Sequence, residues 1–244
     1  MLRKPIAVSP TALERMCRVQ DLGDLSPFLR GPVRSVDVDT DAGQAEREAD
    51  HAMWAEFTRL GLVDGSGRLD GDALDTLSCL TSAPVRYLAY VTDGDQWYSI
   101  VVAGGGYESV VAWRDSGDVH LRGVRGRSPA YTLIHQLPDQ PPARLGSVNL
   151  RADGSDRRRA PHDLETLRTL MNEPELGRGE LYVSVRDHGG YRINDERPVL
   201  YTDYRSGRML LTISGGYVSF APATTDMLVQ RLNEEHRLLT EPSW

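Results

Sequence analysis

Residues 85–124 read VRYLAYVTDGDQWYSIVVAGGGYESVVAWRDSGDVHLRGV. Four short runs rich in β-branched and aromatic residues, 85–92, 98–103, 108–114 and 119–124, alternate with glycine and aspartate, the pattern of strands divided by turns. Asp93-Gly94-Asp95-Gln96 and Asp115-Ser116-Gly117-Asp118 supply the turn chemistry, because glycine accepts positive φ and aspartate bonds its own backbone. The stretch therefore predicts an antiparallel meander. Gly104-Gly105-Gly106 is read as a hairpin turn, since no Lys-Ser or Lys-Thr follows and a strand rather than a helix comes next.

Before the meander the periodicity is helical. Ser9-Pro10 caps a run carrying Leu13, Met16 and Cys17 on one stripe and ending near Leu22-Gly23. Residues 44–60 place Ala49, Met53, Phe57 and Leu60 at helical spacing, with Asp41-x-x-Gln44 as a capping box and Gly61 as the left-handed stop. A third helix runs from Asp70 with Leu69, Ala73, Leu77 and Leu80 on one face, and Pro84 ends it. Residues 27–41 read as a loop with at most one edge strand.

After the meander, Ser128-Pro129 opens a helix to about Leu137. Residues 138–142, with three prolines, and the polar run 152–159 form a connector. A helix at 161–171 follows, then strands at 181–187, 191–194, 199–204, 209–213 and 217–220, and a last helix at 224–238. The halves share an order: Val111 to Gly117 leads into a strand, Ser128-Pro129 and a helix, while Tyr201 to Gly207 leads into strands, Ala221-Pro222 and a helix. This points to an internal duplication with the strands meeting in one sheet.

Composition narrows the function. With 244 residues, 40% hydrophobic and 26% charged, the chain can bury a core without metals or disulfides. A net charge of -7 argues against a domain that neutralises phosphates, so nucleic acid is not expected as a partner. Cys17 and Cys79 lack CxxC spacing, and no stretch is long and apolar enough for a secretion signal or a membrane span, so a cytoplasmic protein is expected. Asp37-x-Asp39-x-Asp41 with Glu48 mimics a calcium loop, but Ala42 stands where the turn needs glycine and Gly31-Pro32 breaks any entering helix. The sequence holds no G-x-S-x-G, H-E-x-x-H or S-x-x-K, and its six histidines are scattered. No cofactor or metal is expected, and Arg157-Arg158-Arg159 reads as a solvated run.

Several strings, in order along the chain, resemble the EspG family. They are Leu22-Gly23-x-Leu25, Glu46-Arg47, Leu60-Gly61-Leu62-Val63-Asp64 with Gly67-Arg68-Leu69, Val110-Val111-Ala112 and Val119-His120-Leu121-Arg122. Gln136-Leu137-Pro138, Pro141-Pro142, Gly146-Ser147-Val148, Ser206-Gly207-Arg208 and Val218-Ser219-Phe220-Ala221-Pro222 continue the match. The resemblance implies one α+β domain with a central antiparallel sheet, flanking helices and quasi-two-fold duplication, its halves about 1–150 and 160–244 joined near 151–159. It also implies a chaperone of type VII secretion that holds a PE/PPE heterodimer by the hydrophobic tip of the PPE protein, using the sheet, the C-terminal helices and the loop between two early strands.

Carried onto this chain, the loop is Asp93, Gly94, Asp95, Gln96 and Trp97, shorter than in the best-known members. The sheet contacts implied are Tyr182, Ser184, Arg186, Tyr201, Asp203 and Tyr204, and the helix contacts Met227, Gln230 and Arg231. Tyrosine suits such a surface because it joins apolar area to a polar tip. Tyr201→Glu is accordingly expected to abolish binding and leave the fold intact, whereas loss of folding would mark a core residue. Self-association, a binding module with a different partner, and a small-molecule enzyme in a sheet–helix groove stay open.

Overall fold

A computed structural model describes residues 1–30, 42–153, 161–187, 189–194 and 197–241. The acidic triplet ending at Asp41, the Asp41 capping box, His188, Arg157-Arg158-Arg159 and most of the 151–159 connector lie outside the described residues. Contacts divide the chain into two compact units, Met1–Arg86 with Tyr98–Thr132, and Tyr87–Trp97 with Leu133–Trp244. The described residues hold eleven strands and six α-helices, an α+β fold with antiparallel pairing.

In the first unit, β1 (Ile6–Val8) precedes α1 (Pro10–Val19), a 3₁₀ turn (Pro27–Leu29), α2 (Ala42–Arg59) and α3 (Gly71–Ser82). The Ser9 hydroxyl accepts from the Ala12 N–H as N-cap and donates to Glu56 at 2.7 Å, fixing α1 to α2. Gly61 has φ +71° after α2, and Asp70 caps α3. Next come β2 (Val85–Asp93), which belongs to the second unit from Tyr87 onward, β3 (Gln96–Gly105), β4 (Glu108–Arg114) and β5 (Val119–Arg125). β3 pairs with β4, β4 with β5, and β5 with β1, all antiparallel. Residues 100–103 and 110–112 are buried at every position, so these strands are covered on both faces. α4 (Pro129–Ile134) is shorter than the sequence suggests.

In the second unit, β6 (Val148–Arg151), α5 (Pro161–Met171), β7 (Glu175–Arg186), β8 (Arg192–Asn194), β9 (Val199–Tyr204), β10 (Gly207–Ser214), β11 (Tyr217–Pro222) and α6 (Thr225–Thr240) follow in order. The strands lie in the order β2-β7-β9-β10-β11-β6, with β8 added to β7. Residues 138–144 form a strap over the β9–β10 turn. Arg208 N–H donates to Pro141 O at 2.7 Å, Ala143 N–H to Arg208 O at 3.0 Å, and Arg144 N–H to Ser206 O at 3.1 Å. Beneath it Ala143, Leu170, Tyr204 and Met209 form a small core.

Each unit repeats one plan, a strand that returns to the edge beside the last strand of a meander, with a helix after it: β1 on β5 before α4, and β6 on β11 before α6. The pairing corrects the register of the duplication by one strand. Residues 111–117 end β4 and residues 201–207 end β9, but β4 corresponds to β10 and β3 to β9, because pairing order rather than local similarity defines the repeat.

Three strand features are absent from the sequence reading. β1 and β6 are short edges beside prolines and charges. β7 starts at Glu175 rather than 181, in a stretch where Gly177 and Gly179 look like turn residues. Both glycines answer close approach instead: a Cβ on Gly177 would stand 2.5 Å from Thr92 O, and one on Gly179 would stand 2.2 Å from the Tyr201 ring.

Candidate partner-binding groove

α6 is built as two stripes. Thr224 caps it, its hydroxyl accepting from the Met227 N–H at 3.2 Å. Leu228, Leu232 and His236 recur every four residues and turn inward; both leucines are fully buried, and the helix packs on β7 and β9. The Tyr87 hydroxyl on β2 reaches Nδ1 of His236 at 3.2 Å, with the rings edge to face. Burial pushes the Tyr87 phenol up to about 12 and holds His236 below its ordinary value, so the contact joins two neutral groups.

The second stripe, Arg231, Glu235 and Leu238, turns toward an open groove of about 730 Å³. Its other walls are Arg197 and Pro198, Val199 and Leu200 of β9, residues 211–214 of β10, and the Gly215-Gly216 turn. Ile213 and Leu238 are 63% and 56% exposed, so large apolar side chains face water on two sides of the groove. Arg231 is held by Glu234 at 3.0 Å and Glu235 at 3.1 Å, and hydrogen bonds from Arg231 and Gln230 hold Glu234 below the usual carboxylate range. An apolar floor with a fixed charged wall can cover an exposed apolar segment and orient it.

The implied contact residues divide. Arg231 lines the groove, and Met227 and Gln230 are exposed on the same helix. Tyr182 and Arg186 are half-buried on β7, Tyr182 donating to Glu180 at 2.7 Å and Arg186 to Gly190 O at 2.6 Å. Asp93, Gly94, Asp95, Gln96 and Trp97 are exposed in the β2–β3 turn. Four residues are not at the surface. Ser184, Tyr201, Asp203 and Tyr204 are buried, with Tyr201 at 1% exposure, because Tyr201 and Asp203 alternate onto the face that carries Leu181 and Val183, and Tyr204 joins the core under the strap. Tyr201 stacks 4.3 Å beneath Arg208, whose guanidinium grips Asp203 with two bonds of 2.7 Å. Contrary to the contacts implied by the resemblance, these four side chains offer a partner little surface. Pro198, Leu200, Leu211, Ile213 and Leu238 went unnoticed; the only signal for Leu238 is its place seven residues after Arg231.

Among the described residues no group of three or more His, Cys, Asp or Glu side chains is placed to hold a metal ion, and no helix is long and apolar enough to cross a membrane. Burial pushes the Cys17 thiol up to about 12 and raises that of Cys79.

A search of curated protein sequences finds no match. Among solved structures, the Mycobacterium tuberculosis type VII secretion system chaperone EspG5, in complex with a PE25-PPE41 dimer, is similar with a TM-score of 0.65 over 99% of this chain and 99% of that one. The two are 14% identical in sequence, so that likeness concerns the fold. The model of the EspG family matches residues 9–234, nearly the full sequence, and the chain belongs to the EspG family.

Proposed function

We propose that this protein is a non-catalytic cytoplasmic chaperone of a type VII secretion system, which holds a PE/PPE-type heterodimer by the apolar tip of its PPE partner and keeps it soluble for export. Family membership supports the reading, and so does the fold shared with EspG5, whose structure was solved with a PE25-PPE41 dimer. The observation that carries it is the groove between α6 and the β9–β10 strands, where Ile213 and Leu238 stand exposed beside an apolar floor. An aggregation-prone tip gains most from a surface of this kind, and a specific interface buries about 800 Å² on each side. Contacts are assigned to this groove, to Met227, Gln230, Tyr182 and Arg186, and to the turn from Asp93 to Trp97. We also propose that the chain is one EspG-like domain of two halves, about 1–150 and 160–244, joined by residues 151–159.

Ile213→Glu combined with Leu238→Glu tests the groove. Both side chains are exposed, so the variant is expected to melt at the wild-type temperature and to bind a cognate PE/PPE pair about a hundredfold more weakly, because a charge enters an apolar contact. Wild-type affinity in a folded double variant would remove the groove from the interface.

A further inference from the structure

We propose that the β3–β4 turn of the first unit, with Tyr107 at its tip and Arg3, Arg125 and Arg127 beside it, is an interaction surface for an extended acidic segment of a second protein. The inference goes beyond the holding of a substrate. It uses no residue of the groove and does not depend on the chaperone reading.

The repeat supplies the template. β3 and β4 correspond to β9 and β10, so the turn at residues 105–108 corresponds to the turn at residues 204–207. The second unit covers its turn with the strap, an extended proline-rich run whose Arg144 N–H donates to Ser206 O at 3.1 Å and whose Ala143 stands against Gly207. In the first unit the Tyr107 carbonyl is met by the Gly126 N–H at 2.9 Å, and among the described residues no strap crosses the turn. The Tyr107 side chain is 83% exposed. Pro84 backs the same turn, where a Cβ on Gly105 would stand 3.1 Å from its ring. A tip held from both sides loses little freedom when a partner docks.

The side chains around the tip are cationic, in a chain whose net charge is -7. The Arg3 and Arg125 side chains are 90% and 74% exposed and line one small cavity beside Gly123 and Val124. Arg127 lies over the Tyr131 ring at 5.5 Å, and Lys4 is exposed. The carboxylates bonded to this group are Glu108, 2.9 Å from Arg125, and Asp72 and Asp75, both beside the Met1 ammonium. Cations stay in excess, which favours an acidic complement and opposes a basic one. Arginine grips carboxylates with two parallel bonds, and tyrosine and arginine are side chains on which interface energy concentrates.

The test titrates the full chain with a fluorescently labelled Glu-Pro-Leu repeat peptide at low and high salt, beside a Lys-Pro-Leu repeat and phosphatidylglycerol vesicles. Wild type is expected to bind the glutamate peptide alone, and more weakly as salt rises. Tyr107→Ala is expected to weaken binding about tenfold. Arg125→Glu with Arg127→Glu is expected to weaken it about tenfold at low salt and to abolish the salt dependence. Arg3→Glu provides a second probe if that pair unfolds. Arg178→Glu, an exposed cation on β7, and the groove variant Ile213→Glu with Leu238→Glu are expected to bind within about twofold of wild type. Peptide binding that survives the arginine reversals in a folded chain would overturn the proposal. So would wild type that binds the lysine peptide, the vesicles in place of the glutamate peptide, or none of the three. No PE/PPE protein enters this assay, so failure of the groove reading leaves its result unchanged.

Discussion

Arg208 is the residue on which the second unit is most exposed to damage. Its guanidinium is buried, doubly bonded to Asp203 at 2.7 Å, donates to Pro138 O at 2.9 Å and covers Tyr201, while its backbone receives the strap. Arg208→Met leaves the Asp203 carboxylate buried without its counter-charge, and is expected to lower unfolding free energy by about 3–5 kcal/mol in denaturant titrations. Replacing Asp203 with Leu in the same chain is expected to restore most of that loss, since the cost lies in the orphaned charge. Gly179→Ala is expected to cost about 1–3 kcal/mol, because the new Cβ would fall 2.2 Å from the buried Tyr201 ring. Tyr201 also shows what a sequence hides at this scale. A tyrosine in a strand has the same local pattern whether it faces a partner or a helix, and only the ladder that aligns it with Leu181 and Val183 puts it inside. Tyr201→Glu is therefore expected to unfold the protein rather than to silence binding in a folded one.

At the scale of elements, capping and turn residues announced most of what formed. Ser9, Asp70 and Thr224 each cap the helix that follows, and Val199–Tyr204 and Glu108–Arg114 have the strand limits that alternation predicts. What escaped is what pairing alone defines: the edges β1 and β6, the glycine-bearing start of β7, and the one-strand offset between the halves. The groove was half legible. Arg231 was marked on α6, but the opposite wall, Pro198 to Leu200 with Leu211 and Ile213, exists only once β9 and β10 are brought under that helix. The seating of α6 carries a pH signature. His236 is neutral in the fold and held below its ordinary 6.5, so the unfolded chain takes up a proton first as pH falls. Stability is fully present above about 6.5 and declines as pH drops from there to the depressed folded value. His236→Phe is expected to flatten that part of a denaturation profile recorded from about pH 7 to about pH 5.

For the whole molecule, the repeated plan explains how a chain of ordinary composition can present open apolar surface and still fold. The core strands are largely buried, while large apolar side chains stand exposed on several elements, among them Ile213 of β10 and Met227 and Leu238 of α6. A surface like that calls for a partner. Co-expression with a PE/PPE pair from the same genome, followed by size-exclusion chromatography, puts the proposed function to its most direct test. The expected result is a single peak holding all three chains, with the PPE protein soluble only when this chain is present. Separate elution, or a PPE protein equally soluble without this chain, would contradict it.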